Sequence, residues 1–432
     1  MTTVYKWRIF CITEGLWVYS WGIDPPTTCI NNTAHEVNSS SDQVIEKIDS
    51  AFVDVKNNYS DSLQSSRVVQ QTPIIDIKSF HGVSTHRNII TTSGTGAITA
   101  ISETDSELKL TIGGISDAVN LASARRGYYV TGFSSECGVA IRIPAALVGS
   151  QTLKFGYFDE NNGYYFKIGN ANDLQVGIMY NGNETLFSRT NFNRNRLDGV
   201  ESNGITLDLS KGIIFRIDFT WYGYGSVVFS VIQTDNKGDQ KAFPMHVYNT
   251  EYHTSCANPS LPINVVLSSN GETAIRDVFV GGRQYSIIGD SNIMKRSSMF
   301  YKSNTVAILS VLSPLFSIKK KANYTTCGVE ITKIRAICNV DCIVQIYVNS
   351  TLTGSSFVSN PYVDESCVNV DQSSSAISGG TVYKTYLLFA GNSIDRELKD
   401  MYLIEDQTLT FAWKTISGAG IVSIEVEWSE AW

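Results

Sequence analysis

The fold of this chain is decided by three segments, LASARRGYYVTG (residues 121–132), KFGYFDENNGYYFKI (154–168) and GIIFRIDFTWYGYG (212–225). Aromatic and β-branched residues alternate there with turns made of glycine, asparagine and aspartate. This alternation is typical of a wide antiparallel sheet, because branched and ring side chains suit a pleated surface. None of the three segments contains a nucleophile motif, a metal-ligand cluster or a phosphate-binding loop. They therefore indicate a contact surface rather than a reaction centre.

The alternating pattern continues on both sides of these segments. Short strands separated by polar turns follow one another over residues 71–290, which predicts a two-layer antiparallel β-sandwich. A second series of about eight strands fills residues 291–432, and that number of strands in that length predicts a jelly roll. The predicted fold class is therefore mainly β, with two sandwiches in succession.

The composition restricts the partners of the chain. Charged residues make up 17% of the 432 residues, and the net charge is −7. Such a chain has no basic field to hold nucleic acid, so we expect no direct nucleic-acid binding. The longest apolar run, VAILSVLSPLFSI (306–318), is interrupted by Ser and Pro and is too short for a bilayer, so we expect no membrane insertion. The alternating N-terminus also lacks the apolar core of a secretory signal.

Residues 1–40 form a separate N-terminal unit in this interpretation. The segments YKWRIFCI (5–12) and WVYSW (17–21) predict two short strands that end at a proline-rich corner. Sulfur and imidazole are ligands that zinc prefers, so Cys11, Cys29 and His35 form a candidate zinc site. Their spacing is loose and shows no fourth ligand. The alternative is a compact hairpin whose tryptophans pack on a partner or on the next domain.

Residues 41–70 differ from the rest of the chain. They open with a Ser/Asp cap signal and contain no Pro or Gly, and apolar residues recur at intervals of three and four, which predicts a helix. The narrow stripe favours a short coiled coil that joins subunits, with a homotrimer as the preferred assembly. The alternative is a single helix that lies on its own sheet. The stripe consists of Val44, Ile48, Phe52, Val55, Tyr59 and Leu63.

Two acidic segments are candidates for chemistry. In ETDSE (103–107), Glu103 and Glu107 share one face of a strand, and two carboxylates facing a sugar cleft are the equipment of a glycosidase. A polysaccharide depolymerase that uses these two residues is therefore one alternative, although the polar surroundings favour a solvated hairpin. Asp159–Gly163 is rich in oxygen ligands and is a candidate calcium site, but its Asn-Gly pair favours a hairpin turn.

A third alternative is a glycan receptor-binding protein. Exposed aromatic rings stack on sugar faces, and TWYGYG carries the candidates for this role, Trp221, Tyr222 and Tyr224. Aromatic residues in an alternating strand more often belong to a core, so the core interpretation stays open for all three.

Several motifs resemble those of virion proteins from tailed phages and large DNA viruses. A Ser-Ala-x-Arg-Gly stretch, a Gly-x-Phe-Asp-x-x-Asn-Gly hairpin, a Leu-Asp-Gly element and a Trp-Tyr-Gly-Tyr-Gly strand end fall at Ser123–Gly127, Gly156–Gly163, Leu197–Gly199 and Trp221–Gly225. The N-terminal unit resembles a further virion motif, in which Ile30 replaces the usual proline. The residues that match this motif are Cys11, Trp21, Pro26, Cys29 and His35.

The resemblance implies a virion structural protein, a minor capsid or fibre component that is displayed on the particle surface. It implies a concanavalin-like sandwich followed by a jelly roll, assembly with other virion proteins through residues 1–40, and host attachment through surface glycans. It transfers no catalytic residues, so we expect no enzymatic activity and no required cofactor.

Overall fold

The protein is described by a computed structural model in which the chain forms two compact units, residues 1–70 and 71–432. No helix among the described residues is long and apolar enough to cross a membrane. The described residues are 4–22, 24–29, 31–32, 34–48, 71–79, 82–100, 106–130, 132–200, 205–220, 225–234, 240–249, 258–289, 296–307, 311–363, 365–399 and 401–431.

The first unit contains one antiparallel sheet of three strands. These are β1 (Val4–Cys11), β2 (Leu16–Gly22) and β3 (Val37–Ile48), in the spatial order β2–β1–β3. The two predicted strands are confirmed as β1 and β2, which pair through a tight turn. Gly15 has a φ of +70° in that turn and donates its N–H to the carbonyl of Cys11 at 2.9 Å. Glycine adopts this left-handed conformation without the steric cost of a Cβ atom.

The predicted helix over residues 41–70 is wrong in its first part, because residues 41–48 belong to β3. In the register with β1, Val44 lies opposite Trp7 and Ile48 lies opposite Val4. The sequence VNSSSDQVIEKI combines consecutive serines with β-branched residues, which are weak helix formers, and the open edge of β1 offers backbone hydrogen bonds. The other stripe residues, Phe52, Val55, Tyr59 and Leu63, lie outside the described residues.

The second unit begins with a sandwich of two large sheets. One sheet has the order β13–β12–β11–β10–β17–β8–β5, and the other has the order β16–β15–β14–β9–β18–β7–β6 with β4 paired to β18. The strands are β4 (Gln71–Ile77), β5 (Asn88–Ser93), β6 (Ala97–Ala100), β7 (Leu108–Ile112), β8 (Ala118–Ser123), β9 (Ser134–Arg142), β10 (Thr152–Phe158), β11 (Gly163–Ile168), β12 (Leu174–Tyr180), β13 (Asn183–Ser188), β14 (Ile213–Thr220), β15 (Val227–Thr234), β16 (Gln240–Tyr248), β17 (Ile263–Ser268) and β18 (Arg276–Ile288).

Aromatic rings fill the space between these two sheets. Phe155 of β10 meets Phe215 of β14 edge to face, with 4.8 Å between the ring centroids. Phe166 of β11 meets Phe229 of β15 in the same way at 5.5 Å. All four rings are buried. Within each strand, the residues directly before and after the ring lie on the opposite face of the sheet, because side chains alternate with a period of two. The alternation in the sequence therefore locates the core correctly.

The second sandwich is a jelly roll, as predicted. Its sheets have the orders β19–β30–β21–β28 and β24–β25–β20–β29–β22–β27, so the chain passes from one sheet to the other in two interlocked Greek keys. A small pair, β23–β26, lies beside them. The strands are β19 (Arg296–Ala307), β20 (Ser313–Lys320), β21 (Gly328–Cys338), β22 (Cys342–Val348), β23 (Thr351–Thr353), β24 (Phe357–Ser359), β25 (Val368–Asp371), β26 (Ala376–Ser378), β27 (Thr381–Leu388), β28 (Ser393–Glu397), β29 (Thr408–Thr415) and β30 (Gly420–Ala431).

The predicted fold class, mainly β with two antiparallel sandwiches, is confirmed. Among the described residues the helical turns are short 3-10 turns, and no α-helix is present. Each sandwich has its own buried apolar core.

Candidate functional site

Two of the motifs quoted from the sequence, Ser123–Gly127 and Gly156–Gly163, meet at one cavity. The end of β8 and the loop after it, which together carry Ser123–Gly127, line a cavity of about 490 Å³ with the turn between β10 and β11. Residues of the jelly roll form its other wall, so we call it the inter-sandwich cavity. Its lining includes Arg125, Arg126, Asn162 and Asn264 from the first sandwich and Glu330, Tyr402 and Ser429 from the second.

Arg126 links the two sandwiches at this cavity. Its guanidinium donates to Asp159 Oδ2 at 3.1 Å in the first sandwich and to Glu405 Oε2 at 2.9 Å in the second. A third bond reaches the carbonyl of Ser260 at 3.1 Å. The side chain is four-fifths buried, so these charge-assisted bonds are weakly screened by water. Arg126 therefore holds three chain segments in one arrangement.

Arg125 makes a second contact between the sandwiches. Its guanidinium lies 4.0 Å from the centre of the Tyr402 ring and donates to the Tyr402 hydroxyl at 2.9 Å. It also donates to the carbonyl of Ile74. A planar guanidinium stacks on an aromatic face more readily than an ammonium does, which explains the use of arginine here. The same two side chains line a second cavity of about 500 Å³ between the sandwiches.

The inter-sandwich cavity also contains two buried polar atoms without a hydrogen bond to any described residue. They are Asn264 Oδ1 on β17 and Ser429 Oγ on β30, and both side chains are more than nine-tenths buried. A buried polar atom that makes no hydrogen bond costs about 1–3 kcal/mol. A ligand with hydroxyl groups, or an ordered water molecule, satisfies such atoms. The cavity therefore offers two buried oxygen atoms to a polar ligand or to water.

A different cluster lies in the N-terminal unit. The structure brings the predicted residues Cys11, Cys29 and His35 together and adds Glu14, with one ligand atom of each residue within 4.8 Å of the others. His35 Nδ1 lies 3.0 Å from Glu14 Oε1 and 4.0 Å from Cys11 Sγ. Cys11 ends β1, Glu14 lies in the turn before β2, and the other two residues lie between β2 and β3. Both thiols are fully buried, and burial raises the pKa of the Cys11 thiol.

The predicted acidic sites are engaged in structural contacts. Glu107 accepts from Arg142 through both carboxylate oxygens, with Nε 3.1 Å from Oε1 and 3.2 Å from Oε2. Asp159 Oδ1 accepts the N–H groups of Asn161 at 3.0 Å and Asn162 at 2.9 Å, and so it organises the β10–β11 turn. The hairpin interpretation of this turn is confirmed. An arginine beside each carboxylate disfavours a cation there, because like charges repel.

Four further residues are predicted from the sequence to belong to a catalytic or glycan-binding site. Glu103, Trp221, Tyr222 and Tyr224 lie outside the described residues. Asn264 and Ser429 were not among the residues predicted from the sequence. Each is a polar residue in an alternating strand, and such residues usually face solvent, so no local signal marks them as buried.

Comparison with known proteins gives a likeness in fold to solved structures. No family model matches the chain, and no curated protein matches it. Three similar structures are a legume lectin-like domain from Entamoeba histolytica (9% identity, TM-score 0.28, 46% of this chain and 89% of that chain), a beta-1,3-glucanase from Mycobacterium marinum (11%, 0.32, 49% and 98%) and alginate lyase vAL-1 from Chlorella virus (7%, 0.30, 46% and 90%). Likeness at this level carries no inference about function.

Proposed function

We propose that this protein is a structural component of a virus particle, a minor capsid or fibre protein displayed on the surface for assembly and host attachment. One observation carries the proposal. Arg126, a residue of a motif that resembles those of virion proteins, pairs with Asp159 of a second such motif and with Glu405 of the jelly roll. Its neighbour Arg125 contacts the ring and hydroxyl of Tyr402 in the jelly roll. Such a joint suits a rigid projecting body that presents two sandwiches in one orientation.

The exposed aromatic face of the N-terminal unit supports an anchoring role. Trp17 and Tyr19 lie on one face of β2, and about half of the Tyr19 surface is exposed. Trp17 packs edge to face on Phe10 at 5.4 Å and lies under Arg8 at 4.1 Å. Aromatic residues and arginine are enriched where proteins dock. We propose that residues 1–40 bind another protein of the same particle through this face.

The test of the virion role is direct detection. Peptide mass spectrometry of gradient-purified particles is expected to find the chain, and an antibody against residues 71–432 is expected to label intact particles. A polymerase of the same virus serves as the control for contamination. Absence of the chain from purified particles would refute the proposal.

Attachment through several weak contacts gains from multiple copies, so we extend the proposal to a homotrimer. Multi-angle light scattering of the purified chain is expected to give three times the chain mass. A monomer at every concentration would remove the trimer.

A second candidate function is glycan binding at the inter-sandwich cavity. The buried, unbonded atoms Asn264 Oδ1 and Ser429 Oγ favour a ligand that carries hydroxyl groups. A glycan array probed with the full chain is expected to give hits, and Asn264→Ala is expected to weaken binding about fivefold to tenfold, the effect of one hydrogen bond. The matched control is Asn120→Ala, which removes the same side chain from the neighbouring strand β8 outside the cavity lining. Binding lost by Tyr222→Ala and Tyr224→Ala, with Asn264→Ala unaffected, would move the glycan site to the aromatic segment.

A polysaccharide depolymerase is the enzymatic alternative. Glu107 has less support in this role because Arg142 occupies both of its oxygens. Incubation of host polysaccharide with the full chain is expected to leave its chain length unchanged. Shortening that disappears in Glu107→Gln would establish the enzyme instead.

A further inference from the structure

We propose that the N-terminal unit binds one structural Zn²⁺ ion through Cys11, Glu14, Cys29 and His35. Two thiolates, an imidazole and a carboxylate are ligands that zinc takes in four-coordinate sites. The residues come from three separate places in the unit, the end of β1, the β1–β2 turn and the β2–β3 loop, so a bound ion would tie these places together.

The distances fit a tetrahedral site. Zinc bonds of about 2.0–2.3 Å place neighbouring ligand atoms about 3.3–3.8 Å apart. Here the His35 Nδ1 atom is 3.0 Å from Glu14 Oε1 and 4.0 Å from Cys11 Sγ, and all four ligand atoms lie within 4.8 Å of one another. Side-chain rotations that move ligand atoms by about 1 Å or less bring the set to coordination distances.

Further hydrogen bonds orient the ligands. Asn31 Nδ2 donates to Glu14 Oε2 at 2.9 Å, which leaves Oε1 directed at the cluster. The N–H of His35 bonds to the carbonyl of Asn32 at 3.0 Å, and the N–H of Glu36 bonds to Thr13 Oγ1 at 3.0 Å. The Asn31 bond is an outer contact of the kind that fixes ligand orientation in known metal sites. The Asn31 and Glu36 bonds also hold the β2–β3 loop against the β1–β2 turn.

The small core of the unit is the independent observation. Among the described residues of the unit, the buried apolar cluster consists of Ile9, Val18 and the two thiol-bearing residues, with Val37 packed against it. Units of this size seldom bury enough apolar surface to fold alone, and a structural metal is one of the usual remedies. Two of the four buried residues are proposed ligands, so a bound ion would link this core to the β1–β2 turn and the β2–β3 loop.

The test measures metal in the full chain, purified from cells grown with zinc. Inductively coupled plasma mass spectrometry is expected to find one zinc per chain, and Cys11→Ser and Cys29→Ser are each expected to lose it. Glu14→Gln is expected to retain zinc but to release it faster to a chromogenic chelator. The matched controls are Glu36→Gln, an exposed acid next to His35, and Cys367→Ala, a buried thiol 3.0 Å from Cys327 in the jelly roll. Both controls are expected to keep a full zinc content.

A second readout separates metal binding from folding. Replacement of zinc by Co²⁺ is expected to give the absorption bands of tetrahedral cobalt with thiolate ligands, and Cys11→Ser is expected to lose them. Near-ultraviolet circular dichroism reports on the sandwiches, whose signal is expected to persist in that variant because their cores are separate. Unreduced chain that resists alkylation at Cys11 and Cys29 and holds no zinc would overturn the proposal in favour of a disulfide. Full zinc content in the double variant Cys11→Ser/Cys29→Ser would overturn it as well.

Discussion

The N-terminal unit and the first sandwich are both antiparallel β structures, yet their interiors differ. The described core of the N-terminal unit comprises Ile9, Cys11, Val18 and Cys29. The core of the first sandwich runs through both sheets and contains stacked and edge-to-face aromatic rings. Burial of apolar surface contributes roughly 25 cal/mol per Å², so the sandwich is stabilised by its own interior. In the small unit, two of the four described core residues are cysteines, which belong to the proposed zinc site.

Metal removal is expected to produce the largest difference between the two regions. Structural zinc supplies about 10–16 kcal/mol of apparent binding free energy in zinc-finger peptides. Treatment of the full chain with 1,10-phenanthroline is therefore expected to abolish amide protection in β1 and β2 and to leave β9 and β14 protected. Hydrogen exchange followed by mass spectrometry measures both. Unchanged protection in β1 would show that burial alone holds the small unit.

Removal of one core ring should act on the sandwich alone. Phe155→Ala leaves a cavity beside Phe166 and Phe215 and is expected to lower the free energy of unfolding by about 3–5 kcal/mol. Denaturation in urea measures the loss, and the zinc content is expected to stay the same. Ile275→Ala is the control, because that side chain is 68% exposed and should change stability by less than about 0.5 kcal/mol. A loss for Phe155→Ala no greater than that of the control would contradict the assigned core.

The ion pair between the sandwiches should have a smaller effect. A double-mutant cycle with Arg126→Ala and Glu405→Gln is expected to give a coupling energy of about 1 kcal/mol, since both side chains are only partly exposed. Urea denaturation of the four proteins yields this value. Lys211 and Asp208 form an exposed pair in the first sandwich, and the same cycle there is expected to give no measurable coupling. Equal couplings in the two cycles would argue against a special role for Arg126.

The smallest expected effect is a dependence on pH. The N–H groups of Gly113, Gly114 and Thr95 bond to the Asp117 carboxylate and hold its pKa well below the usual range. The ionised form is favoured in the folded state, so its contribution is complete above the ordinary aspartate pKa of about 3.9 and is lost as the pH falls below it. Urea denaturation between pH 5 and pH 2.5 is expected to show a smaller loss of stability in Asp117→Asn than in the wild type. An identical pH dependence would exclude Asp117 as a source of acid sensitivity.

Glu14 contrasts with Asp117 in its partners. The Asp117 oxygens accept mainly from backbone N–H groups of nearby turns, whereas the Glu14 oxygens meet the side chains of Asn31 and His35. A carboxylate held by backbone groups organises a loop, while one that faces an imidazole and two thiols is placed for a metal. The two acids therefore illustrate the difference between the two regions at the scale of single residues.

Much of the fold could be predicted because the tendency to form a strand depends on residues that are neighbours in the sequence. The segments around β10, β11 and β14 are rich in aromatic and β-branched residues, and Phe155, Phe166 and Phe215 face the core. The jelly roll followed from the number of strands available in the C-terminal length. The prediction of a helix over residues 41–70 is wrong for residues 41–48. The apolar spacing there suits a helix, but the segment pairs with β1 as strand β3. The period of apolar residues was ambiguous there because serines and charged residues separate them.

The candidate sites were predictable only in part. Cys11, Cys29 and His35 are conspicuous residue types, and the structure brings them together. Nothing in the sequence around Glu14 marks it as a ligand, because its contacts with the β2–β3 loop arise only in the folded chain. The pair of Arg126 and Glu405 joins residues 279 positions apart, and no local pattern encodes such a contact. The same holds for Asn264 and Ser429, which come from different sandwiches.

The amino-acid sequence by itself determined the β class, the positions of the hairpin turns and the residue types available for a metal, since each depends on neighbours within a few residues. Only the tertiary structure decided that β3 is a strand, that Glu14 lies beside the two thiols, and that a cavity with polar lining residues lies between the sandwiches. The physical reason is that these features arise where distant segments pack, and packing selects among the conformations that local preferences allow.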